Sequence, residues 1–134
     1  MKIPEEELIR RLRSSYDAFN RGDFDAATEW IHPEIVFITL SPGRTEIRGV
    51  EAFRAWMEPD AFESQAVSGE IIELVDNKAL IHQQTRARGA GSGIEIEIGS
   101  WTVWTIDDEG RVLRIENFLE HEEDEARRVF RDQD

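Results

Sequence analysis

The stretch NRGDFDAATEWIHPEI, residues 20–35, decides the fold. Just upstream, residues 5–20 place Leu8, Ile9, Leu12, Tyr16 and Phe19 at helical spacing, with Arg10, Arg11 and Arg13 elsewhere on the helix. Glu5, Glu6 and Glu7 fall in its first turn, where negative charge favours the helix dipole. Gly22 suits the left-handed position that ends such a helix, and Asp23 can cap a second one whose Phe24, Ala27, Trp30 and Ile31 share a side. Pro33 then blocks helical continuation and restricts His32 to an extended conformation, so EIVFITL, residues 34–40, reads as a strand. The RGD at 21–23 is accounted for as a glycine turn followed by a cap, and His32 as a surface residue at the junction.

Working outward, SPGRTEIRG (41–49) reads as loop, and VEAFRAWME (50–58) as a short helix with Val50, Phe53, Trp56 and Met57 inward and Pro59 behind it. Four strands follow: AVSGEIIELVD (66–76), KALIHQQTRARG (78–89), IEIEIGSWTVWTID (94–107) and RVLRIENFLE (111–120). Asp76-Asn77 and Asp107-Asp108-Glu109-Gly110 supply turn chemistry between them, and the glycine-rich GAGSG (89–93) is a hairpin tip without the lysine a phosphate loop needs. Residues 121–131 add a terminal helical turn or two with Ala126, Val129 and Phe130 as apolar contacts. The order predicts an α+β domain spanning 1–134, with helices on one face of a curved sheet.

Composition narrows the function classes. Sixteen basic against 29 acidic residues give a net charge of −13, which disfavours nucleic acid and anionic membranes as partners. No cysteine is present, so disulfides, thiolate metal sites and a cysteine nucleophile are excluded, and the three histidines fall on different elements without metal-ligand spacing. No apolar signal core or membrane-length run occurs, and a cytoplasmic location is the expectation.

The segments AFNRGDFDAATEWIHPEIVF, IRGVEAFRAWM and WTIDDEGRVLRIENFLEHEE resemble the nuclear transport factor 2-like superfamily, in particular its SnoaL-like and ketosteroid-isomerase-like members. That resemblance implies a cone: a curved mixed or antiparallel sheet wrapped around three N-terminal helices, a pocket between them, and often a homodimer through the outer sheet face. In GIEIEIGSWTVWTI, residues 93–106, the even positions form one side; Glu95, Glu97, Trp101 and Val103 form the other. The second half is apolar on both sides, which a partner subunit over the outer face would explain.

Carried over by register, the isomerase's tyrosine position falls on Ser15, next to Tyr16, and its two aspartate positions fall on Thr39 and Thr102. Steroid-type isomerisation is therefore disfavoured. The resemblance to epoxide hydrolases and dehydratases of this fold directs attention to His82, Gln84, Arg86 and Arg88, all on one side of their strand, with His82 as candidate general acid or base; the alternative is that this side is the wet outer face, or that His82 is a core histidine satisfied by a hydrogen bond. Asn117, flanked by Ile115 and Leu119, either orients a ligand carbonyl or ties down a neighbouring strand. In such a cone Tyr16, Trp30, Phe37 and Trp56 would line the helical and first-strand walls, and Gln84, Arg86, Thr102, Trp104 and Asn117 the sheet wall. The expected function is binding of a small hydrophobic or aromatic molecule, with cofactor-independent isomerase, cyclase or dehydratase chemistry. The alternative is a binding or dimerisation module without turnover.

Overall fold

The computed structural model describes residues 3–40, 44–57 and 62–132. The expected loop at 41–43 and the Pro59 behind the third helix lie outside them. Helix α1 (Glu5–Asn20) and the single-turn α2 (Phe24–Ala27) form the expected hairpin. Gly22 turns the chain at φ 76°, and the Asp23 carboxylate caps α2 by accepting from the Ala26 N–H. Strand β1 (Ile31–Ile38), strand β2 (Glu46–Arg48), helix α3 (Val50–Met57), strands β3 (Phe62–Val75), β4 (Lys78–Gly89), β5 (Glu95–Ile106) and β6 (Val112–Leu119), and helix α4 (Glu123–Arg131) complete it. The six strands make one mixed sheet in the order β2-β1-β6-β5-β4-β3. β1 runs parallel to β6, and the other pairs are antiparallel.

Two boundaries depart from expectation for local reasons. The Thr28 hydroxyl donates back to the Phe24 carbonyl at 2.8 Å, α2 stops after Ala27, and Trp30 and Ile31 leave the helix. β1 then begins at Ile31 and runs through Pro33, which sits where the register with β6 shifts between Ile31 and Val36. A missing N–H is tolerated at such an irregularity. The stretch read as loop contains the short strand β2, and β3 starts four residues earlier than its apolar pattern suggested.

The inner face of the sheet and the N-terminal helices share one core, in which Leu12, Ile35, Phe53, Ile81 and Ile115 are buried. A second core lies on the opposite face. There Leu80, Trp101, Val103 and Phe118 are covered by Ala126 and Phe130 of α4. The two-sided apolar pattern of β5 is thus satisfied within the chain, and the cover inferred from sequence to be a partner subunit is, over these residues, the chain's own last helix. Among the described residues no helix is long and apolar enough to cross a membrane.

β3 is an edge strand, and its exposed backbone is managed by α1. The Asn20 carboxamide donates to the Val67 carbonyl and accepts from the Val67 N–H, both at 2.8 Å, as a neighbouring strand residue would. This pairing also ties the end of α1 to the far side of the sheet.

Two outcomes follow from this packing. Phe130→Ala should cost about 3 kcal/mol in urea unfolding, because it opens a cavity under α4; an unchanged midpoint would show that α4 does not hold the outer core. Asn20→Ala should cost about 1–2 kcal/mol and speed hydrogen exchange at the Val67 amide, which loses its acceptor.

Candidate functional site

Between the helices and the inner face of the sheet lies a cavity of about 480 Å³. Strand pleat decides what lines it. On β4 the odd positions Gln83, Thr85 and Ala87 face inward, and on β5 the even positions Ile96, Ile98, Ser100 and Trp104 do. Ile115 and Asn117 continue the wall on β6, Gln65 and Val67 on β3, and Phe37 and Thr39 at β1. The helices add Ser15, Tyr16 and Phe19 from α1 and Phe53, Trp56 and Met57 from α3.

Aromatic rings brace two sides of the space. Phe37 packs against Phe53 at 4.8 Å and against Trp56 at 4.6 Å between centroids, while Tyr16 stacks on Trp104 at 5.6 Å with the planes 24° apart. Polar groups are few and neutral. The Tyr16 hydroxyl donates to Gln83 Oε1 at 2.6 Å, the Trp104 indole N–H donates to the Thr102 hydroxyl at 3.1 Å, and Asn117 Nδ2 donates to the Ile38 carbonyl at 2.8 Å. Among the described lining residues there is no Asp, Glu, His, Lys or Arg. The one titratable group is the Tyr16 phenol, and burial pushes its pKa up, so it stays protonated.

The residues expected to form the site divide accordingly. Tyr16, Phe37, Trp56, Trp104 and Asn117 line the cavity. Thr102 is on the same sheet face but fully buried beneath Trp104, as a hydrogen-bond acceptor for the indole rather than part of the wall. Trp30 is elsewhere: once α2 ends early, its ring lies under the Arg11 guanidinium, 3.8 Å from the centroid. His82, Gln84 and Arg86 occupy the outer face, because Gln83 and Thr85 take the inward parity. His82 Nε2 lies 2.8 and 3.0 Å from the two Glu120 carboxylate oxygens, its ring 4.5 Å from Trp101. Trp101 Nε1 also donates to Glu120, and Gly99 leaves room for that carboxylate, with which any Cβ would collide. His82 therefore ties β4 to the turn that leads into α4, away from the cavity. Arg86 is exposed and 3.8 Å from Glu97.

Sequence reasoning missed Gln83, Thr85, Ser15 and Ser100 as lining residues. The signal available on β4 was Arg86 and Arg88, two exposed cations that share parity with His82 and so mark that side as the wet one.

Comparison with known proteins agrees with this geometry. No curated protein matches the chain in sequence. Among solved structures, an NTF2-like protein of unknown function from Burkholderia pseudomallei aligns at a TM-score of 0.72 and 19% identity, covering 93% of this chain and 98% of that one. A putative polyketide cyclase from Xanthomonas campestris aligns at 0.73 and 16% identity, covering 88% and 93%. A Mycobacterium tuberculosis protein solved in complex with estradiol-17beta-hemisuccinate aligns at 0.70 and 14%, covering 82% and 91%. These likenesses establish the shared NTF2-like fold. The model of the SnoaL-like domain matches residues 12–115, and the chain belongs to that family.

Proposed function

We propose that the cone binds one small, uncharged apolar or aromatic molecule. The observation that carries this reading is the cavity itself: about 480 Å³ walled by six aromatic side chains, with only neutral hydrogen-bonding groups among its described polar lining. The Mycobacterium tuberculosis protein of the same fold, solved with estradiol-17beta-hemisuccinate, supports an apolar ring system as the ligand's body but not its neutrality, since the hemisuccinate end carries a free carboxylate. With His82 on the outer face, general acid-base catalysis loses the group the sequence offered for it. The supported reading is therefore binding rather than turnover.

A second reading, cofactor-independent cyclisation, is favoured by the putative polyketide cyclase of the same fold. In it the Gln83 amide N–H, with the Gln83 oxygen held by the Tyr16 hydroxyl, would polarise a carbonyl by hydrogen bonding, and the aromatic walls would fold the substrate against itself. The proposal extends to a cytoplasmic homodimer. Its interface would use the outer sheet face beyond α4, where Arg88 pairs with Glu95 at 2.7 Å.

Titration with phenylnaphthylamine, whose fluorescence rises in apolar surroundings, tests the binding reading. Saturable enhancement is expected, with a melting temperature raised in proportion to about 2.7 kcal/mol at a hundredfold excess over Kd. Thr85→Trp, which fills the cavity from β4, should weaken the probe at least about tenfold while far-UV circular dichroism is unchanged. Equal affinity in that variant would put the probe outside the cone.

Affinity should also be flat from about pH 6 to pH 9, because Tyr16 keeps its proton throughout and no other described lining group titrates. A bell-shaped profile would implicate an ionising group in the site. For the dimer, light scattering at micromolar concentration should give about twice the 15.5 kDa chain mass; the mass of one chain would refute it.

A further inference from the structure

Gly69, Gln83 and Ser100 form one row across the inner face of the sheet: Gly69 pairs with Gln83 in the β3–β4 register, and Gln83 with Ser100 in the β4–β5 register. A Cβ on Gly69 would fall 2.9 Å from Cε2 and Cζ of Tyr16. Glycine there is what lets the Tyr16 ring approach β3 so closely. From that seat the hydroxyl reaches Gln83 Oε1 at 2.6 Å, and the stack on Trp104 holds the ring from the other side.

The Gln83 carboxamide is thereby oriented. Its oxygen is occupied by Tyr16, while Nε2 has no partner among the described residues. No buried side-chain nitrogen or oxygen among them lacks a partner, so Nε2 must keep open surface, and Gln83 is part of the cavity wall. Ser100, its cross-strand neighbour, is 2% exposed and lines the same wall.

We infer that Gln83 orients the ligand and sets its specificity: Nε2 donates to a ketone, quinone or phenol oxygen of a neutral ring system, and the corresponding carboxylates are rejected. The inference rests on the small-molecule reading above. An amide N–H placed on an apolar wall is left unpaired by a purely hydrocarbon ligand and paired by a carbonyl or hydroxyl oxygen. A carboxylate meets the same donor but no cation among the described lining residues, so its charge would be buried uncompensated, within a chain whose net charge of −13 already repels anions.

The test uses Prodan, a fluorescent naphthyl ketone whose emission moves to the red when its carbonyl accepts a hydrogen bond. Bound to the unaltered protein it should show the red-shifted band. Gln83→Leu, with Gln83→Met as a second variant of similar length, should move the band to the blue and raise Kd about tenfold. Tyr16→Phe keeps the ring and its stack but frees the amide, and should raise Kd about threefold. Acetylnaphthalene should displace Prodan at least about tenfold better than naphthoate at pH 7. Failure of Prodan to bind the unaltered protein would overturn the small-molecule reading and this inference together. Binding with unmoved emission and affinity in both Gln83 variants, or equal competition by naphthoate, would overturn this inference alone.

Discussion

The pleat of β4 governs both faces of the molecule. Successive side chains on a strand point to opposite sides, so β4 can present either His82 or Gln83 to the helices and never both. Ala79 and Ile81 fix the choice, because they are completely buried in the core shared with the helices, and Gln83, Thr85 and Ala87 follow them inward. Leu80 fixes the other side beneath α4, and His82, Gln84 and Arg86 follow it outward. A shift of one residue would bury the two arginines and expose the apolar row, which no local gain could offset. The neutral cavity and the charged outer surface are consequences of that single register.

The separation of charge follows the same division. Arg86, Arg88, Glu95 and Glu97 stand on the outer side of the β4–β5 hairpin, paired across the strands and open to solvent, where such pairs contribute little to stability. Inside, the polar groups are amides, hydroxyls and one indole N–H, each contacting another neutral group or the open space. Neutral groups of this kind tolerate a low dielectric at modest cost, whereas an unpaired carboxylate would not. Among the described residues the acidic side chains stand outside the cavity lining, where negative charge repels anions without entering the cone.

How far the sequence could be read depends on which residues decide each feature. The helical hairpin was legible because Gly22, Asp23 and Pro33 each permit few backbone conformations, and the parity of β5 because Ile94, Ile96 and Ile98 alternate with Glu95 and Glu97. Tyr16, Phe37, Trp56, Trp104 and Asn117 reached the cavity as expected from the cone. Trp30 did not, because the early end of α2 depends on a hydroxyl-to-carbonyl bond from Thr28 that helical periodicity does not register. The face of β4 was hard to assign because both of its parities carry buried apolar residues: one covers the helices and the other covers α4. That second cover lay in a terminal segment whose docking depends on long-range contacts absent from local pattern.

The opening of the cavity accounts for apolar surface that otherwise has no structural purpose. Trp56 is 50% exposed, Ile96 39% and Ile98 41%, yet all three belong to the wall. Their rings and branched chains face a space too large for the neighbouring side chains to close, since Phe37 and Phe53 hold Trp56 on one side and the β4–β5 register holds the isoleucines on the other. Apolar area left in water forgoes about 25 cal/mol for each Å² that could be covered. Collapse of α3 onto β5 would recover it only by breaking the packing around Phe53 and Met57, which are both buried. An apolar guest of the kind proposed would recover it without that loss, because the aromatic brace that keeps the cavity open would not have to move.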